Sequence, residues 1–385
     1  MNVTLQPRIL LGARERAAFD APTLARKVGT TPERVNQWEQ TGQLRLTQAR
    51  KLAHVTHTPE GFLFLSEPPD ERLPIPDFRA MDAATARRPS PNLLETIQTM
   101  QLRQAWMRDF LIEEGQAELP FVASRTMEEK PEAVAADIRK TLGCADGWAK
   151  EERTWTEALQ HLREKIEEAG ILIAVNGVVG NSNHRKLDPD EFRGFALCDP
   201  YAPLVFINGS DYKAAQMFTF AHELAHIWIG QEGVSNVEVA QPPTGKVERY
   251  CDRVAAEFLV PESELRECWR EAQRDVEPYQ FVARRFKVSS IVCARRTLDL
   301  GLTSRDGFLD FYRDYVKDER RKKTARSGGG DFWNNQNVRV GLVFGAAVVR
   351  AAKEGRLLYR EAYRLTGLHG TTFDHFSEYL GIRVV

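Results

Sequence analysis

Apolar residues recur at helical spacing through most of the chain, and they switch to short β-like runs in one central stretch. Residues 1–66 read as a series of short helices. Residues 91–143 carry Leu93, Ile97, Met100, Leu102, Trp106, Phe110 and Leu111 near helical positions, and Glu157–Glu168 is amphipathic. Three runs follow, Ile171–Val175, Phe195–Leu197 and Leu204–Ile207, bounded by Gly, Asn, Asp and Pro, and they predict strands. Helical patterns resume at Lys213–Ile229, Val247–Val260 and Glu262–Ala272, then as a close pair, Tyr279–Phe286 and Ser289–Leu298. Three short helices are expected over Val338–Leu380. Two breaks stand out. EPPDERLPIPDF (Glu67–Phe78) holds four prolines and reads as extended, and SGGG (Ser327–Gly330) reads as flexible. The prediction is a mostly helical α+β chain: a helical bundle over 1–66, a Pro-rich linker over 67–90, a domain with a small sheet over 91–305, a basic helical linker over 306–330 and a helical extension over 331–385.

The first segment has finer grain. A helix over Thr23–Val28 follows Asp20 and Pro22, Gly29 makes a turn, and Thr30 or Thr31 caps the next helix, with Pro32 in its first turn. Leu24, Ala25, Val28, Val35 and Trp38 supply a small shared core. This is a helix-turn-helix pattern, and its second helix would enter the DNA major groove. Thr31, Arg34 and Gln37 point outward there; Arg and Gln suit guanine and adenine edges. Arg26, Lys27, Arg45, Arg50 and Lys51 are candidates for phosphate contacts. A small protein-binding module is the competing reading, since Glu33 repels phosphate.

The central pattern carries chemistry. His222-Glu223-Leu224-Ala225-His226 is HExxH inside an apolar helical stretch. At that spacing the two imidazoles share a helix face and can close on one Zn2+, while Glu223 is turned about 100° away and serves as general base. In VERYCDRVAAEFLVP, Glu248 lies 22 residues beyond His226 and is the expected third ligand. Asp252 is one turn further on the same face, placed to accept the N–H of a ligating histidine. His184, Tyr212 and Tyr250 are candidates for stabilising an oxyanion.

Charge sharpens the picture. The 385 residues sum to −1, which by itself argues against nucleic acid. Residues 1–57, however, hold nine Lys/Arg against four Asp/Glu and are +5; 317–326 are +4 and 327–385 are +2, leaving −12 over 58–316. The longest apolar run, Val340–Val349, is about half a bilayer span, and Arg8, Arg14 and Arg16 interrupt the N-terminal apolar stretch, so neither a membrane nor a signal peptide is expected. Five scattered cysteines without a CxxC pair argue against a disulfide framework and fit the cytoplasm.

TLARKVGTTPERVNQWEQTG resembles the XRE family of phage-repressor-like helix-turn-helix domains. IPDFRA (Ile75–Ala80), FTFAHELAH (Phe218–His226) and VERYCDRVAAEFLVP (Val247–Pro261) resemble the ImmA/IrrE family of zinc metallopeptidases, collinearly over about residues 15–305. That resemblance implies a gluzincin-like peptidase with one zinc held by His222, His226 and Glu248, and Glu223 as base. It also implies a cytoplasmic regulator that cleaves a partner repressor or regulatory protein, with double-stranded DNA as a second partner and a dimer plausible. The tail is similar to the extension of a subgroup encoded beside PIN-like toxins. The alternative is therefore a transcriptional regulator or antitoxin whose zinc domain binds a partner without cutting it.

Overall fold

The computed structural model describes residues 1–78, 88–236, 245–317 and 332–382. Contacts divide them into two units, one of residues within 1–74 and 84–98, the other of residues within 75–83 and 99–385. Of the expected linker over 67–90, residues 79–87 lie outside the described residues. Glu71 ion-pairs with Arg16 inside the first unit, whereas Pro76–Phe78 hydrogen-bond to Val234 inside the second.

In the first unit, β1 (Asn2–Thr4) pairs antiparallel with β2 (Gln43–Arg45). Four helices accompany them: α1 (Pro7–Arg16), α2 (Ala21–Val28), α3 (Pro32–Thr41) and α4 (Leu46–Val55). Asp20 caps α2 by accepting from the Thr23 amide, and Gly29 ends it in the left-handed region. Thr31 caps α3 by accepting from the Arg34 amide. Leu24, Ala25, Val28, Val35 and Trp38 are all buried together. Gly42 is obligatory: at φ +70° a Cβ there would lie 1.9 Å from the Leu5 carbonyl oxygen.

The second unit holds a four-stranded sheet of order β3-β5-β4-β6, made of β3 (Leu172–Asn176), β4 (Gly194–Leu197), β5 (Leu204–Asn208) and β6 (Gly233–Ser235). β3 runs parallel to β5, and β4 is antiparallel to both β5 and β6. The three predicted strands are there; β6, three residues long, offers no alternation to read. The stretch 91–143, read as helical, holds two helices, α5 (Pro91–Glu113) and α6 (Pro131–Leu142). Between them Gly115 takes φ +71° and Pro120 follows. This intervening chain has a job: the Ala123 and Arg125 amides donate to the Ile227 and Trp228 carbonyls. They thereby satisfy the end of α8 (Lys213–Ile229), which follows α7 (Trp155–Glu168) in the chain.

α8 packs against β4, β5, α6, α7 and α9 (Lys246–Leu259), and its residues 216–229 are all buried. α10 (Glu262–Ala272), α11 (Pro278–Phe286), α12 (Ser290–Asp299) and α13 (Arg305–Lys317) continue the unit. The tail forms α14 (Phe332–Val340), most of which lies before the expected helical stretch, and then the three helices expected over Val338–Leu380: α15 (Leu342–Lys353), α16 (Tyr359–Thr366) and α17 (Thr371–Tyr379). The rest of the basic run after Lys317, and SGGG, lie outside the described residues. The tail belongs to the second unit. The buried Arg103 guanidinium donates to the Leu365, Arg339 and Thr366 carbonyls, and Glu167 accepts from the Leu342 and Val343 amides at the start of α15. No helix among the described residues is long and apolar enough to cross a membrane.

Candidate metal centre

α8 carries His222 and His226 one turn apart, and α9, its main packing partner, brings Glu248 between them. The Nε2 atoms of His222 and His226 are 3.1 Å apart. Glu248 Oε1 is 3.1 Å from His226 Nε2, and Oε2 is 3.4 Å from His222 Nε2. Among the described residues these three form the group of donors able to share a metal ion, all within 4.8 Å of one another and all buried.

Hydrogen bonding on the far side of each ring fixes what these atoms are. His222 Nδ1 donates to Asp252 Oδ1 at 2.9 Å, and His226 Nδ1 donates to the Gln231 carbonyl at 2.8 Å. A carbonyl and an ionised carboxylate only accept, so the protons sit on Nδ1 and both neutral rings present bare lone pairs at Nε2. Two lone pairs and a carboxylate then face one another at 3.1–3.4 Å with no donor between them. That is why Glu248 Oε1 has no hydrogen-bond partner despite its closeness to His226. Buried acceptors converging in this way call for a cation, and two imidazoles with one carboxylate are the donor set that suits zinc. Without one, a proton substitutes. Burial would lower the His222 pKa, but Glu248 and Asp252 together hold it well above its ordinary value. Burial would likewise raise Glu248, but the charge that His222 carries once protonated brings it down to about 2.

Glu223 is fully buried, its carboxylate makes no hydrogen bond of good geometry, and the group nearest to supply one is the buried Ser235 hydroxyl on β6. Burial pushes Glu223 up to about 8, opposed by the His222 charge and the nearby Ser235 hydroxyl and reinforced by the Glu248 charge. The carboxylate has room because β4 opens with glycine: a Cβ on Gly194 would stand 2.8 Å from Thr219 Cγ2, 2.9 Å from the Phe206 carbonyl and 3.0 Å from Glu223 Oε1.

The three oxyanion candidates are not brought into this cluster. The Tyr250 hydroxyl donates to the Thr126 and Glu129 carbonyls; two residues past Glu248 it is turned about 200° around α9. Tyr212 precedes α8 and is 46% exposed, ten residues or about 15 Å of helix before His222. His184 is exposed on the loop between β3 and β4. Two contacts have no counterpart in the sequence reading: the Gln231 carbonyl, delivered by the left-handed Gly230 that ends α8, and Phe78, whose ring stacks on His226 at 5.4 Å and 20°. Of the DNA candidates, Arg26, Lys27, Arg34, Gln37 and Arg45 are exposed. Arg34 donates to Gln37, and the Thr31 hydroxyl is spent on its cap.

Residues 166–298 match the family model of the IrrE N-terminal-like domain, peptidase M78. Residues 340–379 match that of a domain of unknown function, DUF8813. No curated protein and no solved structure matches the chain. The first match spans α8, β6 and Glu248, so the middle of the chain is similar to a zinc-metallopeptidase domain of the ImmA/IrrE type.

Proposed function

We propose that this protein is a zinc-dependent endopeptidase with an N-terminal DNA-binding module, a cytoplasmic regulator that cleaves a partner repressor or regulatory protein. The observation that carries the reading is the convergence of three buried acceptors beside the fully buried carboxylate of Glu223. His222, His226 and Glu248 would hold the metal, which when bound supplies Lewis-acid polarisation of a peptide carbonyl. Asp252 and the Gln231 carbonyl orient the two rings. Glu223 would take the proton of the attacking water and pass it to the departing amine nitrogen; it lies beside both histidines in the chain and is buried with them. The exposed Arg34 and Gln37 on α3, flanked by Arg26, Lys27 and Arg45, support double-stranded DNA as a second partner.

The test is Glu223→Gln in the full chain, incubated with the product of the neighbouring gene. The variant should keep its zinc and its fold and lose cleavage; cleavage at the wild-type rate overturns the reading. One observation favours a second reading, an antitoxin or transcriptional regulator in which the zinc domain binds a toxin without cutting it. His222, Glu223 and His226 have no solvent exposure at all, as in a closed structural site. Stoichiometric neutralisation by wild type and Glu223→Gln alike, with no fragment formed, would decide for it.

A further inference from the structure

The four residues Ile75–Phe78 lie along the free side of β6. The Val234 amide donates to the Pro76 carbonyl at 2.9 Å, and the Phe78 amide donates to the Val234 carbonyl at 3.1 Å. Asp77 bridges Val234 in parallel register, and Ile75 is buried. The segment therefore acts as a short fifth strand. Its last side chain reaches the metal centre, with the Phe78 ring lying face to face on the His226 imidazole. The fit is close enough to dictate the residue beneath it: a Cβ on Gly233 would sit 2.2 Å from Phe78 Cε2 and 3.0 Å from the Pro76 carbonyl oxygen. Meanwhile His222, Glu223 and His226 are sealed from solvent.

A peptidase must receive its substrate as an extended chain, and an unpaired strand edge is the usual surface for that. Here β6, which carries Ser235 and follows the HExxH helix in the chain, is the sheet edge, and the protein's own chain pairs with it. We infer that Ile75–Phe78 is an intrachain occupant of the substrate edge, holding the centre closed until an extended polypeptide with an aromatic residue over His226 takes its place on β6. This rests on the peptidase reading for its purpose, though the strap itself can be tested apart from cleavage. The parallel register has a consequence: the segment passes the centre as a pairing partner, and no bond of its own is implied as a substrate.

Full-length zinc-loaded protein is compared with Phe78→Ala, which removes the ring, and Gly233→Val, which places side-chain atoms where the ring lies. The rate of zinc transfer to the chelating dye 4-(2-pyridylazo)resorcinol should rise about ten-fold in both, because a local opening no longer has to precede access. A hexapeptide copying Leu73–Phe78, added to Phe78→Ala, should slow the transfer again. Wild-type rates in both variants overturn the strap. Should the variants fail to fold or take up no zinc, hydrogen exchange on the wild-type chain decides. The Phe78 and Val234 amides should exchange well before those joining β4 to β5, and equal protection overturns the proposal. Faster zinc transfer without cleavage of the neighbouring gene's product supports the strap and removes the peptidase reading; cleavage of that product with unchanged zinc transfer removes the strap alone.

Discussion

Asp252 offers the sharpest test of how the metal centre is built. Its Oδ1 accepts the His222 Nδ1 proton at 2.9 Å, and the side chain is 22% exposed, so the bond is charge-assisted and largely sheltered. A hydrogen bond of this kind is worth about 1.5–3 kcal/mol. In Asp252→Ala the ring loses both its orientation and the negative charge that makes Nε2 a stronger donor to zinc. The corresponding loss in affinity is about 10–100-fold, or roughly 1.4–2.7 kcal/mol, so the two routes to the magnitude agree. Asp252→Asn keeps an acceptor oxygen and loses the charge; it should fall near the lower end of that range. The second ring provides the control. His226 is held by the Gln231 backbone carbonyl, which no side-chain substitution removes, and Gln231→Ala should bind zinc within about two-fold of wild type. Affinity is read by competition with a chromophoric chelator at fixed pH and ionic strength, with zinc content checked by mass spectrometry. If both Asp252 variants bind as wild type does, Asp252 is an ordinary helix-face carboxylate and the assignment of Nδ1 as the protonated nitrogen loses its main support.

Zinc should stabilise the chain more as pH rises. Without metal the folded pKa values of His222 and Glu223 both lie above their unfolded ones. Their contributions to stability are full at low pH and are lost as pH rises through the folded values, for Glu223 between about 4.5 and about 8. The melting-temperature gap between zinc-loaded and metal-free protein should widen from pH 6 to pH 8.5, and a constant gap contradicts the coupling. Gly194→Val should lower stability by about 1–3 kcal/mol in denaturant titration, since its side chain must displace Thr219, the Phe206 carbonyl or Glu223; an unchanged midpoint would show that β4 can retreat from α8. Arg103→Met removes three bonds to tail carbonyls. Limited proteolysis should then cut within 340–379 earlier than in wild type, with the zinc content unaffected; an unchanged digestion pattern would mean that apolar packing alone holds the tail.

What the sequence disclosed depended on how far apart in the chain the interacting groups lie. α8 was legible end to end because its apolar run, its terminal glycine and its two histidines are all local. The match between the predicted Lys213–Ile229 and the observed helix reflects that. Glu248 was legible at one remove, since an acidic residue and a second carboxylate one turn later mark a helix face wherever that helix packs. The tyrosine candidates show the limit of reading by residue type. Tyr250 shares α9 with Glu248, but helical geometry turns it toward the Thr126 and Glu129 carbonyls, and counting the angle from 248 to 250 already excludes a shared face.

Backbone groups and distant pairings left no trace of either kind. Any residue at position 231 has a carbonyl, so the partner of His226 has no identity in the sequence; the available sign was Gly230, whose left-handed turn brings that carbonyl back to the helix. Arg103 similarly binds only carbonyls, which is why the tail read as a separate extension. Phe78 lies 148 positions before the imidazole it covers, on a strand pairing too short to alternate, within a proline-rich stretch that looked like a spacer. Yet the same prolines explain its use. Pro74 and Pro76 hold the chain extended and cannot donate. Here the hydrogen bonds to β6 come from the Val234 and Phe78 amides and leave the proline nitrogens unasked. Strand alternation puts residues 74, 76 and 78 on the side facing β6, so the two prolines fall where the pairing uses the Pro76 carbonyl and the Phe78 amide, and their missing donors cost it nothing.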